Sequence, residues 1–306
     1  MLRSFLRDGK EIRYPADKWA KKQAEFSAPA DLIRKISEQL GEERADRFFA
    51  NALLPPPVTI RLNTVKAQES DIADLNPTPC AEHAYFTKIA DVSNTESYRR
   101  GLFHVQDLAP QLCCQALGAQ PGEIVFDVCA APGGKTFTIA EMMENCGTVY
   151  AFDLHPNRVK LIAGGADRLG LTCIRAEAQD AKQFRNDLPQ ADRVLCDVPC
   201  SGLGVIRRKP EIKYKPLTDF AGLPEIQYGI LENASRYLKP GGTLVYATCT
   251  VLREENEAVL ERFLAAHPDF SPAPLTEFGC IEGFKTFTCD DHDCDGFFVG
   301  RLKKEA

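Results

Sequence analysis

EIVFDVCAAPGGKT, residues 123–136, runs from an apolar stretch through a glycine-bearing turn into a helix-like stretch, and its reading decides the fold. EIVFDV (123–128) is strand-like, and the Gly133–Gly134 pair allows a tight turn and close backbone approach before a helix begins. The same cadence recurs downstream. TVYAFD (148–153), LTCIRA (171–176), RVLCDV (193–198) and TLVYAT (243–248) are strand-like, with helical or turn-rich segments between them. Such alternation predicts a parallel, doubly wound α/β sheet. Lys239-Pro240-Gly241-Gly242 reads as a turn feeding the fifth strand, and Arg253 to His267 as a charged amphipathic helix. A helix is also expected from Asn157 to Leu169, although Gly164 and Gly165 lie inside it at a cost of about 1 kcal/mol each relative to alanine.

Upstream of residue 118 the pattern differs. Helices are expected over 17–26, 29–40 and 42–54, the last with Ala45, Phe48, Phe49, Ala52 and Leu53 at helical spacing. Pro55, Pro56 and Pro57 end it, since proline has no N–H to donate to a helix. VTIRLNT (58–64) then alternates like a strand, while residues 65–98 are too mixed to assign. The expected organisation is a smaller α+β region over 16–117 and an α/β domain over 118–306, without internal repeats.

Composition narrows the classes. Of 306 residues, 44% are hydrophobic and 26% charged, the balance of a folded globular chain. Lys plus Arg is 37 against 43 Asp plus Glu, a net charge of -6, which excludes a uniformly basic nucleic-acid coat but not a local basic patch. No apolar run approaches the ~20 residues that span a bilayer. The opening MLRSFLRDGKEIRY is charged throughout and lacks the apolar core of a secretion signal, so the twelve cysteines are expected to be reduced thiols in the cytoplasm.

The chemistry-bearing residues cluster at strand ends. Gly134-Lys135-Thr136 matches the close of a phosphate-binding P-loop, but position 129 must then be glycine and is Cys129. Asp153 closes the second strand, Asp180 follows the third and Asp197 ends the fourth. Any one alone is better read as a solvated strand end or a helix cap. Together, at the carboxyl edge of the sheet, they favour an adenosine-bearing ligand. DVPCSGLGVIRRKPEIKY (197–214) leaves a buried strand at Asp197, Pro199 and Cys200, then carries Arg207, Arg208, Lys209 and Lys213, with Lys215 beyond. A solvated loop is the plain reading; beside a strand-end thiol, such a cluster suits the phosphates of an anionic chain. YATCTV (246–251) sets Cys249 at the end of the fifth strand, where it would emerge beside Cys200. Two inert buried thiols remain the alternative.

DVCAAPGGKT, DVPCSGLGVIRRKPEIKY and GGTLVYATCTVLREENEAVLERFL together resemble the successive motifs of the RNA cytosine-5 methyltransferases, RsmB type. The resemblance extends to PPPVTIRLNT (55–64), GLFHVQDLAPQL (101–112) and DGFFVGRLKK (295–304), nearly the whole chain. It implies a Rossmann-like methyltransferase sheet, S-adenosylmethionine (SAM) as methyl donor and an RNA cytosine, most naturally in small-subunit ribosomal RNA, as acceptor. Position by position, Cys129, Ala130, Ala131, Pro132, Gly133, Gly134 and Lys135 would surround the methionine part of SAM. Asp153 would take the ribose hydroxyls, Asp180 would lie near the adenine and Asp197 between cofactor and base. The family pattern makes Cys249 the nucleophile and Cys200 the thiol that assists release; TCT replaces the usual TCS. Residues 16–117 would dock RNA. LRSFLRDGKEIRYP (2–15) resembles the end of a NusB-like helical domain, so residues 1–15 are expected to be its remnant, with Leu2, Phe5 and Leu6 on an exposed apolar face.

That chemistry has a reason. Carbon 5 of cytosine is a poor nucleophile until a thiolate adds to carbon 6 and makes an enamine. The base must also be unstacked, which costs a few kcal/mol and favours loops. Cys280, Cys289, His292 and Cys294 are spaced too irregularly for a zinc site, and Asp290, Asp291, Asp293 and Asp295 among them suggest a solvated loop; no metal is expected. Cys113 and Cys114 read as helix core; His83, His104, His155 and His267 show no catalytic pattern; Trp19 and Tyr14 suit either RNA stacking or packing. A monomer without membrane contact is expected. The rivals are a transfer-RNA methyltransferase, a non-catalytic RNA-binding assembly protein, for which paired thiols are superfluous, and a DNA cytosine methyltransferase, which the TC cysteine disfavours.

Overall fold

A computed structural model describes residues 14–89 and 91–306. The residues expected to form the NusB-like remnant, including Leu2, Phe5 and Leu6, lie outside the described part. Three helices open it: α1 (Lys18–Phe26), α2 (Ala30–Leu40) and α3 (Glu42–Asn51). Asp17 caps α1 by accepting from the Ala20 N–H at 2.8 Å, satisfying one of the N–H groups left orphaned at the helix start. α3 ends at Asn51, short of the expected Leu54. The unassigned stretch after β1 (Val58–Leu62) contains β2 (Leu75–Pro77) and β3 (Ala84–Thr87), and β4 (Phe103–Val105) completes an antiparallel sheet in the order β2-β3-β1-β4. Turns about positive-φ Asp74 and His83 break up the periodicity there.

Helix α4 (Leu108–Leu117) leads into the large sheet, with Cys113 and Cys114 fully buried. Its parallel strands are β5 (Ile124–Asp127), β6 (Thr148–Asp153), β7 (Ile174–Ala178), β8 (Ala191–Asp197) and β9 (Leu238–Thr248). The intervening helices are α5 (Gly134–Met142), α6 (Pro156–Leu169) and α7 (Leu223–Ser235). After α8 (Glu257–Ala266), β10 (Phe270–Pro272), β11 (Phe284–Phe287) and β12 (Phe297–Lys304) finish the chain. The order is β7-β6-β5-β8-β9-β12-β10, with β12 antiparallel to β9 and paired also to β11. Chain direction across the sheet reverses between β5 and β8, which opens the crevice where such sheets take ligands. Alternate residues serve opposite faces: Val125, Leu195 and Val245 pack with α4 and α5, while Phe126, Val194 and Tyr246 pack with α7 and α8.

Three expectations shift. β7 begins at Ile174 rather than Leu171, and β9 already runs through Lys239–Gly242, where a turn was expected; Gly241 takes φ +73° inside it. The helix expected from Arg253 starts only at Glu257, because Asn256 (φ −113°, ψ −102°) interrupts it and donates to the Thr250 carbonyl instead. α6 does form across Gly164 and Gly165. The second glycine is explained by packing: a Cβ at Gly165, or at Gly133, would come within 2.3 Å of the Phe137 ring.

The two parts share cores. Phe26, Ile33, Ile36, Phe48 and Phe49 of the helices pack with Leu203, Ile206, Phe220, Val251 and Leu252 from the catalytic side. Trp19 lies against this cluster, half-buried, with Lys18, Lys22 and Arg34 over its ring. Arg61 of β1 reaches Glu141 of α5 at 2.8 Å, both side chains buried. Among the described residues no helix is long and apolar enough to cross a membrane.

Candidate active site

Where β5 stops, Asp127 is fully buried and accepts the Thr136 hydroxyl at 2.7 Å, and burial pushes its carboxyl up to about 7. The turn from Cys129 to Gly133 brings the N-terminus of α5 to a cavity of about 530 Å³, a volume suited to a nucleoside-sized ligand. Cys129, Ala131, Lys135, Asp153, Asp180, Asp197, Cys200, Arg208 and Cys249 all line it; Ala130, Pro132, Gly133, Gly134, Arg207, Lys209 and Lys213 do not. The sheet order spreads the lining along the strand ends. Asp180 and Asp153 stand at the β7–β6 end, Asp197 and Cys200 follow β8, Cys249 follows β9, and Asp295 and Phe297 begin β12.

At the β6 end, Asp153 is 3% exposed; its carboxylate accepts the His155 N–H at 3.1 Å and pairs with Arg158 at 3.1 Å. Arg158 also donates to the Ala131 carbonyl at 2.6 Å, tying α6 to the turn. Asp180 accepts the Lys182 N–H at 3.0 Å, so its carboxylate is fixed by its own loop.

At the β8–β9 end, Lys135 Nζ donates to Asp197 at 2.6 Å, and the two sit beside the Phe297 ring. Burial would lower the Lys135 ammonium, but attraction and hydrogen bonding to Asp197, together with the neighbouring Cys113 and Cys114, outweigh it and hold it well above its usual range. Cys200 Sγ lies 3.1 Å from Cys249 Sγ. Cys200 donates, which lowers the Cys249 thiol; burial opposes this, and Lys135 and Lys209 assist it. The same hydrogen bond, with burial, raises Cys200. The two thiols are thus shifted in opposite directions, Cys249 toward the reactive thiolate and Cys200 away from it. Behind Cys249 the backbone is fixed: its carbonyl accepts the Gly204 N–H at 2.9 Å, and Gly204 in turn accepts the Gly296 N–H at 2.9 Å.

The basic insertion needs correction. Arg207 donates to Asp293 and to the carbonyls of Leu54 and Pro55, and its side chain is 6% exposed. Arg208 is held by Asp107 at 2.7 Å, by Asp295 and by the Pro57 carbonyl. Lys213 is buried, its ammonium over the Tyr214 ring. Arg207 and Arg208 are thus engaged within the chain, while Arg208 also lines the cavity. The aspartate-rich segment is a loop with Asp290 and Asp293 exposed, and its charges are also paired: Asp290 meets Arg47, Asp291 meets Lys285, and Asp295 is buried. Among the described residues no three ligating groups converge on a metal position. Sequence reading missed Asp107, Arg158, His155, Asp295 and Phe297 as cavity residues. Arg158 lies five residues after Asp153, in the first turn of α6. Asp107 and Asp295 meet only through topology, and burial beside Asp295 pushes Asp107 up to about 6.

Known proteins resemble this chain in sequence and fold. The sequence profile of the 16S rRNA methyltransferase RsmB/F family matches residues 114–303. The probable ribosomal RNA small subunit methyltransferase B of Bacillus subtilis is 39% identical across 100% of this chain and 73% of its own length. Its Synechocystis counterpart is 35% identical over 92% of this chain and 67% of its own. A methyltransferase homologue from Pyrococcus horikoshii, 27% identical, superposes with a TM-score of 0.82 over 95% of this chain and 100% of its own. A profile running from α4 to β12, and relatives aligned along the entire chain, make the family plain: this chain belongs to the RsmB/F methyltransferases.

Proposed function

We propose that this chain transfers a methyl group from SAM to carbon 5 of a cytosine in small-subunit ribosomal RNA, through a covalent adduct on Cys249. The observation that carries the reading is the asymmetric thiol pair in one cavity with a buried strand-end carboxylate. The family and the names of the relatives support ribosomal RNA as the substrate.

The cavity fits the cofactor. Asp153, buried at the end of β6, is where a ribose diol finds an acceptor, beside the half-exposed Arg158. Asp180 would border the adenine, and the Cys129–Lys135 turn the methionine portion. Bound SAM supplies an electrophilic methyl group. The protein's part is to make carbon 5 nucleophilic. Cys249, hydrogen-bonded by Cys200, adds to carbon 6; Asp197 would accept the cytosine amino N–H and, sharing a proton with the base, place it on the ring nitrogen as negative charge develops there, with the Lys135 ammonium alongside. Once the methyl group is in place, a general base takes the carbon 5 proton, that electron pair re-forms the 5,6 double bond, and the carbon 6–sulfur bond breaks to return the Cys249 thiolate. Cys200, still protonated, is positioned to support the departing thiolate. Lys209 and Lys215 are the exposed lysines of the insertion for an RNA phosphate.

The two thiols separate by mutation. With SAM and ribosomal RNA, Cys249→Ala should show neither methylation nor adduct. Cys200→Ala should accumulate a denaturant-resistant protein–RNA band. Reversed outcomes would exchange the roles; full activity in both variants would leave the pair as packing.

A further inference from the structure

We propose that Cys200 and Cys249 are a site of oxidative modification, closing to an intramolecular disulfide when the protein meets hydrogen peroxide. The sulfurs lie 3.1 Å apart without a bond, so about 1 Å of approach reaches the ~2.05 Å of a disulfide. That approach needs little backbone movement. β8 and β9 are adjacent and parallel, with Asp197 opposite Ala247, and each cysteine sits in the short turn just beyond its strand. Both thiols line the open cavity, where a molecule the size of peroxide has access. Reactivity is selective as well. Cys249 has the lowered thiol, whereas burial pushes Cys113, Cys114, Cys129 and Cys196 up.

The chemistry balances. The Cys249 thiolate attacks one peroxide oxygen; the O–O bond breaks, an S–OH group forms, and the departing hydroxide takes a proton to become water. Cys200 then gives up its proton and attacks that sulfur; the S–S bond forms, the S–O bond breaks, and a second water leaves. Two thiols are oxidised by two electrons and one peroxide is reduced to two waters. The partner thiol thereby intercepts Cys249 before it reaches the irreversible sulfinic acid.

The bond rests on geometry alone, whereas its effect on catalysis rests on the methyl-transfer reading. The test treats the reduced full chain with equimolar hydrogen peroxide. Intact mass should fall by about 2 Da, and peptide mapping should link the segments carrying Cys200 and Cys249. Cys200→Ser and Cys249→Ser should each abolish that link, and Cys146→Ser, at an exposed position, should retain it. Dithiothreitol should restore the starting mass. Peroxide that leaves both thiols free, carries Cys249 directly to a sulfinic acid, or links Cys113 to Cys114 instead overturns the proposal. If the link forms while methyl transfer continues undiminished, the nucleophile assignment fails and the disulfide stands.

Discussion

Asp127 is a carboxyl group sealed beneath the turn that leads into α5, and its protonation is tied to stability. Burial raises it from 3.8 unfolded to about 7 folded. A raised folded value means its contribution is complete below about pH 4 and is lost as pH climbs to 7. The melting temperature of the wild-type chain should therefore fall more steeply between pH 5 and 8 than that of Asp127→Asn, whose amide oxygen can still accept from Thr136. Identical pH dependence in the two melting series would mean that the carboxyl does not titrate there. Asp153 is the other strand-end carboxylate, and its partners are a backbone N–H and a half-exposed arginine. Asp153→Ala should weaken SAM binding by about 1–3 kcal/mol, and calorimetry giving an unchanged affinity would remove it from the site. Both acids stand at strand ends in the sequence. Nothing there distinguishes the one beneath the turn from the one facing the crevice, because that difference is made by which side of the sheet edge the loop covers.

The insertion between β8 and α7 behaves as a buckle. Arg208 joins the start of α4, through Asp107, to the start of β12, through Asp295. Arg208→Ala would leave two neighbouring carboxylates without their cation and should cost about 3 kcal/mol in urea unfolding. The loss should be smaller at pH 5 than at pH 8, because Asp107, raised to about 6, is protonated at the lower value. An equal loss at both pH values would show that the carboxyl pair carries none of it. This element also marks how far sequence reaches. The five parallel strands were legible because parallel sheets are buried on both faces and their apolar runs stand out; their order in the sheet was not. The thiol pair was legible because both cysteines lie at strand ends. The charges were not. A run such as Arg207-Arg208-Lys209 reads as solvated or phosphate-facing until the fold brings Asp293 and Asp295, more than eighty residues further on, against it. Phe137 is similar: a ring seated against Gly133 and Gly165 gives no periodic signal.

At the scale of the whole molecule, we propose that residues 16–117 serve RNA docking and residues 118–306 the chemistry, with α4 packed on the catalytic sheet. The division is one of roles, since the parts are welded by an apolar core and a buried ion pair. A chain cut to 118–306 would expose Leu203, Ile206, Phe220, Val251 and Leu252 and strand Glu141 without Arg61. It should aggregate or melt at least 10 °C below the full chain, since losing a buried partner costs about 3–5 kcal/mol before the apolar loss is added. A cooperative melt at the full-length temperature would show that the catalytic part stands alone. The same shared core has a consequence during synthesis. Ser27, just past α1, meets Tyr214, 187 residues further along the chain. A ribosome adding about 5–20 residues per second needs roughly 10–40 s to bridge that gap. For most of that interval Phe26, Ile33, Phe48 and Phe49 are already made while Leu203, Ile206 and Phe220, against which they pack, are not. The first helices of this enzyme must therefore wait, apolar face open, for a segment made much later, and a chaperone has its best purchase there.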